Sequence, residues 1–226
     1  MDAELFQVLN SWNGRSAIVD GITGAALNDI SKSVPFMMVF WCLWFLPKTN
    51  LERTRIRTAL TATLVLTVPI IGIARAMASY APFSLRPIHT PGLDINLRAG
   101  QGTGVLDGWS SMPSDHASLF MGLAVAFFCI HRTAGLVCIF WAVAVVSIPR
   151  IVLGLHWPSD IIAGWVLGAV IAASLISPAI KMVERTHIVP YFERREAIGY
   201  PLLFLATFEV VQMFAASRGI VEKLIG

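Results

Sequence analysis

The sequence predicts an all-α fold, a polytopic membrane bundle of about six helices, and three observations carry that prediction. Hydrophobic residues make up 56% of the chain and charged residues only 14%, against about a quarter charged in ordinary soluble domains. The apolar residues come in blocks, at 31–47, 56–80, 114–131, 134–155, 159–181 and 199–217. Proline and glycine gather between the blocks, above all in 81–113, where they break regular structure. A helix needs roughly 20 apolar residues to cross a bilayer. The second, fourth, fifth and sixth blocks meet that length, 114–131 is marginal, and 31–47 is short unless it begins within 17–30. Recurrence of near-20-residue apolar blocks argues against the buried helices of a soluble bundle.

Taken in order, residues 3–12 mix apolar and polar side chains and end on Trp12, which fits a short helix lying in the membrane interface within 1–16. Residues 17–30, with Asp20 and Asp29, are expected to lead obliquely into the first span. Pro47 ends that span before a sharp connection at 48–55. The stretch 81–113 is read as one long outer loop, a length more often functional than idle. Short links join the next three blocks, and the amphipathic stretch 182–198 precedes the last. Neither an internal repeat nor a second domain is visible, so residues 1–226 are read as one domain. Met1-Asp2-Ala3-Glu4 lacks a basic leader, so the first hydrophobic helix is expected to act as the insertion signal.

The formal charge of +3 becomes informative once located. Nine of the 17 Lys and Arg residues fall in three connections: Lys48, Arg53, Arg55 and Arg57; Arg132; and Lys181, Arg185, Arg194 and Arg195. If each block crosses once, these connections share a side, and the positive excess makes that side cytoplasmic. They are topology signals, which excludes a nucleic-acid surface. Cys42, Cys129 and Cys138 lie inside apolar blocks without metal-ligand spacing and are expected to be packing residues.

Two histidines stand where polar stretches meet apolar ones on the opposite side. His116 closes Pro113-Ser114-Asp115-His116 at the start of an apolar helix. Ser114 suits an N-cap, the first-turn N–H groups form a ready anion site, and His116 is placed to donate a proton. Taken alone, the tetrapeptide equally fits a cap beside an interfacial histidine. His156 is more specific, because Arg150 precedes it by six residues and Asp160 follows it by four. Pro158 suits the first position of a new helix, which places Asp160 in the first turn within reach of the imidazole. A carboxylate there fixes the tautomer, leaves the other ring nitrogen free to attack and stabilises the imidazolium. Arg86-Pro87 and the intramembrane Arg75 add cations that, with Arg150, can offset a phosphate's charge by multidentate hydrogen bonding. The alternative for Arg75 is snorkelling to headgroups.

These three elements, in this order and at these intervals, resemble the type 2 phosphatidic acid phosphatase superfamily. Its pattern is a lysine, six residues and Arg-Pro; then Pro-Ser-Gly-His; then Ser-Arg, five residues, His, three residues, Asp. The matching residues are Arg86-Pro87, Pro113-Ser114-Asp115-His116, and Arg150, His156 and Asp160. The resemblance implies that His156 forms a phosphohistidine, that Asp160 orients it, and that His116 protonates the leaving group and then activates water. It implies phosphate binding by Arg86, Arg150 and the Pro113-Ser114-Asp115 turn, with Arg75 as a further candidate. No metal and no cofactor are expected. Three positions depart from the pattern. Ser79 stands where the lysine belongs, and Arg75, one turn earlier, is the candidate substitute. Asp115 replaces glycine, so its carboxylate must point away from the anion or pair with a cation. Pro149 replaces the serine before Arg150. Glu209, an intramembrane acid, is expected to make a structural hydrogen bond within the bundle, and His89, His131 and His187 are assigned no role.

The function expected is hydrolysis of a membrane lipid phosphate or pyrophosphate, such as a polyprenyl pyrophosphate. The setting expected is an integral protein of a bacterial inner membrane, with the site facing the periplasm or outside. Transfer of the phosphoryl group to a lipid or sugar acceptor is the nearest alternative. A non-enzymatic lipid transporter is the alternative of another class.

Overall fold

The computed structural model describes residues 2–214, and no strand occurs among them. Ten helices follow in order: α1 (Asp2–Asn10), α2 (Ala17–Leu27), α3 (Asp29–Phe45), α4 (Asn50–Tyr80), α5 (Asp115–Ile130), α6 (Arg132–Trp141), α7 (Ile148–Val152), α8 (Pro158–Thr186), α9 (Ile188–Arg194) and α10 (Glu196–Val211). By length and composition, three stretches among the described residues can cross a membrane: α4, Arg132–Val152 and α8. Two shorter apolar helices, α2 and α5, accompany them, and α3 and α10 pack against the bundle. The block expected at 199–217 is α10, which starts three residues earlier; its last positions, 215–217, lie outside the described residues.

Side chains at the boundaries explain where the helices begin. Ser16, Asn28, Thr49 and Ser114 each accept a hydrogen bond from a first-turn N–H, satisfying donors a helix start leaves open. The stretch 17–30, expected as an oblique lead into the first span, is a helix of its own. Asn28 closes α2 with extended backbone and caps α3. Between α6 and α7, residues Ala142–Ser147 form a π-helical turn. Pro149 begins the next segment without an N–H to give, so regular α-bonding cannot run through this point.

α5 is the axis of the bundle, packed against α4, α6 and α8. Residues Ala117 to Ala124 are buried without interruption. A helix apolar on every side belongs inside a protein shell, which explains how 16 residues suffice where a lipid-facing span needs more. Phe36, Phe40 and Trp44 of α3 pack with Phe120 and Phe127 of α5 in the main apolar cluster, with the Phe36 and Phe120 rings 4.9 Å apart. Outward, α8 presents Ile162, Val166 and Val170, and α6 presents Leu136, Val137 and Phe140. Such continuous exposed apolar faces suit a lipid solvent. This all-helical bundle is an integral membrane protein. Of the three cysteines, Cys138 is buried, whereas Cys42 and Cys129 lie on exposed helix faces.

Glycine sets the distance between α5 and α8. A Cβ at Gly168 would come within 2.0 Å of the Ser118 carbonyl oxygen, and one at Gly164 within 2.7 Å of the Ser114 carbonyl oxygen. Only glycine permits that backbone approach, and it draws the starts of the two helices together.

Candidate active site at the helix starts

The starts of α5 and α8 meet where the Ser114 N–H donates to the Asp160 carbonyl at 3.1 Å. Between α7 and α8 the chain turns through Gly154, at φ +72°, a conformation that favours glycine. The Gly154 carbonyl accepts from Ile88 N at 2.9 Å, which pins the 3-10 turn Pro87–His89 of the outer loop against this corner.

His156 is 2% exposed. Its Nδ1 lies 2.9 Å from the carbonyl oxygen of Ser111. A carbonyl can only accept, so Nδ1 carries the proton and the Nε2 lone pair faces Arg86. Asp160 is 3.6 Å from Nδ1, beyond hydrogen-bond length, so the expected direct orienting bond is replaced by a relay. The Ser111 hydroxyl donates to Asp160 Oδ2, while the same carboxylate accepts from Trp157 N at 2.7 Å. Burial pushes the His156 imidazole below its ordinary value; Asp160 opposes the shift, and Arg86 and Arg150 add to it. The ring is therefore neutral at neutral pH, as a nucleophile requires.

Arg86 reaches His156 from the outer loop. Its NH1 donates to the Leu155 carbonyl at 2.6 Å and lies 3.2 Å from His156 Nε2, and its NH2 donates to the Ser110 carbonyl at 3.2 Å. Arg150, 4% exposed, holds its Nε without a hydrogen-bond partner among the described residues. A buried guanidinium with an unpartnered N–H is able to donate to an anion.

His116 has its own carboxylate. Asp115 Oδ1 accepts from His116 Nδ1 at 2.9 Å and from its backbone N at 2.8 Å. The acid in the glycine position thus pairs with the imidazole, one of the two arrangements the sequence required. First-turn amides expected to stay open are partly used, since Asp115 takes His116 N and the Ser114 hydroxyl takes Ala117 N. The Ser114 hydroxyl keeps its own hydrogen to donate. On the far side, His116 Nε2 lies 3.4 Å from Lys32 Nζ of α3.

Residues 82–181 match the PAP2 superfamily profile, and the motif residues His116, Arg150, His156 and Asp160 converge within them. Over 170 residues the chain is 23% identical to the provisionally named undecaprenyl-diphosphatase YbjG of Escherichia coli (strain K12), covering 75% of this chain and 78% of that one. Over 167 residues it is 27% identical to the bacitracin transport permease protein BcrC of Bacillus licheniformis, covering 71% and 75%. No solved structure gives a significant match.

The matched region is braced by residues preceding it. Asp2 accepts from Ser159 N at 3.0 Å and from its hydroxyl at 2.7 Å, where the positive end of α8 favours a carboxylate. Asn10 donates to the Val152 carbonyl at 2.8 Å, and Phe6 packs edge-on against Trp157 at 5.3 Å. The expected interfacial helix α1 therefore clamps the loop that carries His156. Arg75 is half-buried on α4 and Glu209 half-buried on α10. Sequence reasoning missed Ser111, since a serine in a polar loop carries no signal of its own. It also missed Lys32, although a lysine at the edge of the block 31–47 invites the argument that singled out Arg75.

Proposed function

We propose that this protein is a membrane lipid phosphatase that hydrolyses a lipid phosphate or diphosphate through a phosphohistidine on His156, with its site on the extracytoplasmic face of a bacterial inner membrane. The observation that carries the reading is the Ser111–His156–Arg86 arrangement, a neutral imidazole whose free Nε2 faces a phosphate-binding cation. The PAP2 match of residues 82–181 and the diphosphatase name of the E. coli relative support it, and the basic connections support the orientation.

In this mechanism Arg86 and Arg150 take the phosphoryl oxygens, Arg86 turning its N–H from Nε2 to the substrate. The Ser114 hydroxyl, at the turn Pro113-Ser114-Asp115, adds a donor, with Arg75 a further candidate on α4. The Nε2 lone pair forms an N–P bond, and the bond to the leaving oxygen breaks with its electron pair on that oxygen. Where that oxygen belongs to an alcohol, His116, oriented by Asp115, supplies its proton; a departing lipid monophosphate leaves as the anion. In the second step His116 takes a proton from water, the water oxygen bonds to phosphorus, and the N–P electron pair returns to His156, releasing inorganic phosphate. Ser111 and Asp160 hold the ring and stabilise its positive charge.

Purified protein incubated with a polyprenyl diphosphate or phosphatidic acid in detergent is expected to release phosphate. His156→Ala should lower turnover at least about 10³-fold while thermal unfolding stays unchanged, and acid quenching of wild type should trap an acid-labile phosphoenzyme absent from the variant. Full activity in His156→Ala would sink the mechanism. The name of the Bacillus relative raises a transport reading, which predicts lipid binding without phosphate release.

A further inference from the structure

Resting on the phosphatase reading, we infer that Lys32 supplies the cation missing at Ser79, and that its place beside His116 tunes the site to lipid diphosphates over monoesters. Lys32 is 5% exposed and lies in α3, outside the domain that carries the motifs. Its ammonium pairs with Asp29 at 2.6 Å and approaches His116 Nε2 at 3.4 Å. The Asp29 side chain is 61% exposed. An ion pair one turn apart forms as well at the surface, at little gain and no desolvation cost, so Asp29 does not explain the burial. Of the three N–H groups on the ammonium, contacts with described residues occupy two. Lys32 also lies within electrostatic range of Arg150 and Asp115. Arg150, in turn, is in range of His116 and Asp115. The cations therefore flank both histidines, with Arg86 at His156 Nε2, Lys32 at His116 Nε2 and Arg150 in range of both.

That distribution separates two kinds of leaving group. With a lipid diphosphate, the His156 lone pair bonds to the terminal phosphorus and the bridging P–O bond breaks. The electron pair stays on an oxygen of the departing lipid monophosphate, which is a stable anion and needs no proton. With a monoester, the departing oxygen belongs to an alcohol and must take the proton of His116, after which it carries no charge. A fixed cation on the leaving side therefore has a charge to stabilise chiefly in the diphosphate reaction. There it acts in a water-poor site, where such interactions are strongest.

The test compares farnesyl diphosphate with farnesyl monophosphate on purified wild type, Lys32→Met, Lys32→Arg and Arg75→Met. Wild type is expected to show the higher kcat/KM on the diphosphate. Lys32→Met should lose about 10²-fold in kcat/KM on the diphosphate, the scale for removing one stabilising donor, and less than about 5-fold on the monophosphate. Lys32→Arg should recover most of the loss. Equal losses on both substrates, or a selective loss in Arg75→Met with none in Lys32→Met, would overturn the assignment. Should Lys32→Met fail to fold, the wild-type comparison still decides, since preference for the monophosphate contradicts it. Release of phosphate from neither substrate by wild type would instead remove the phosphatase reading beneath it.

Discussion

His156 and His116 are the two groups whose surroundings differ most usefully at the residue scale. Each gives Nδ1–H to an oxygen and leaves Nε2 toward a cation, but the oxygens differ. For His156 the acceptor is the Ser111 backbone carbonyl, backed by the hydroxyl relay to Asp160; for His116 it is the Asp115 carboxylate. A neutral acceptor fixes the tautomer without favouring the imidazolium as strongly as an adjacent carboxylate does, which suits the proposed role of His156 as a nucleophile that rests uncharged. A pH dependence follows. Because burial lowers the His156 pKa from its ordinary 6.5, the free enzyme keeps its neutral imidazole as pH falls through 6.5. It loses activity only once pH falls through the depressed value. The acid limb of kcat/KM, which reports the free enzyme, is expected below about 6.5 after correction for substrate ionisation. An acid limb well above that value would contradict the neutral-nucleophile assignment.

Among the elements, α5 and α8 matter most, because their starts carry His116 and Asp160. Their approach depends on Gly164 and Gly168, where an added Cβ collides with backbone rather than with a yielding side chain. Gly168→Ala is expected to destabilise by about 3 kcal/mol, the upper part of the overpacking range, and to lower activity as the two starts separate. Gly72→Ala in α4 meets nothing within 4 Å. It should be neutral or stabilising, since alanine is the better helix former. Thermal inactivation in detergent, run on both variants, checks the contrast; equal behaviour would mean that helix contact does not hold the site. The same scale shows how 17–30 is divided. Hydropathy ran on through the segment, whereas Asn28, by capping α3 and closing α2, divides it.

The whole molecule arranges its charges by side. Basic connections lie at one end of the spans, with Arg57 held by Glu193 at 2.7 Å, and the histidines and outer loop lie at the other. Topology mapping tests the proposed orientation. In a variant freed of Cys42, Cys129 and Cys138, a cysteine placed at Asp107 should react with an impermeant thiol reagent added to intact cells. One placed at Arg55 should react only after permeabilisation, and the reverse pattern would turn the site inward.

The sequence by itself determined the helical membrane class and singled out the residues of the proposed site, because both are written locally. Apolar length decides whether a segment can cross a bilayer, and the spacing of Arg150, His156 and Asp160 follows one turn and one helix start. Only the tertiary structure decided which groups meet the two histidines. Ser111 meets His156 across 45 residues and Lys32 meets His116 across 84. Contacts of that span depend on how α3, α5 and α8 pack, which aromatic side chains set between α3 and α5 and glycines set between α5 and α8. No local pattern in the chain records it.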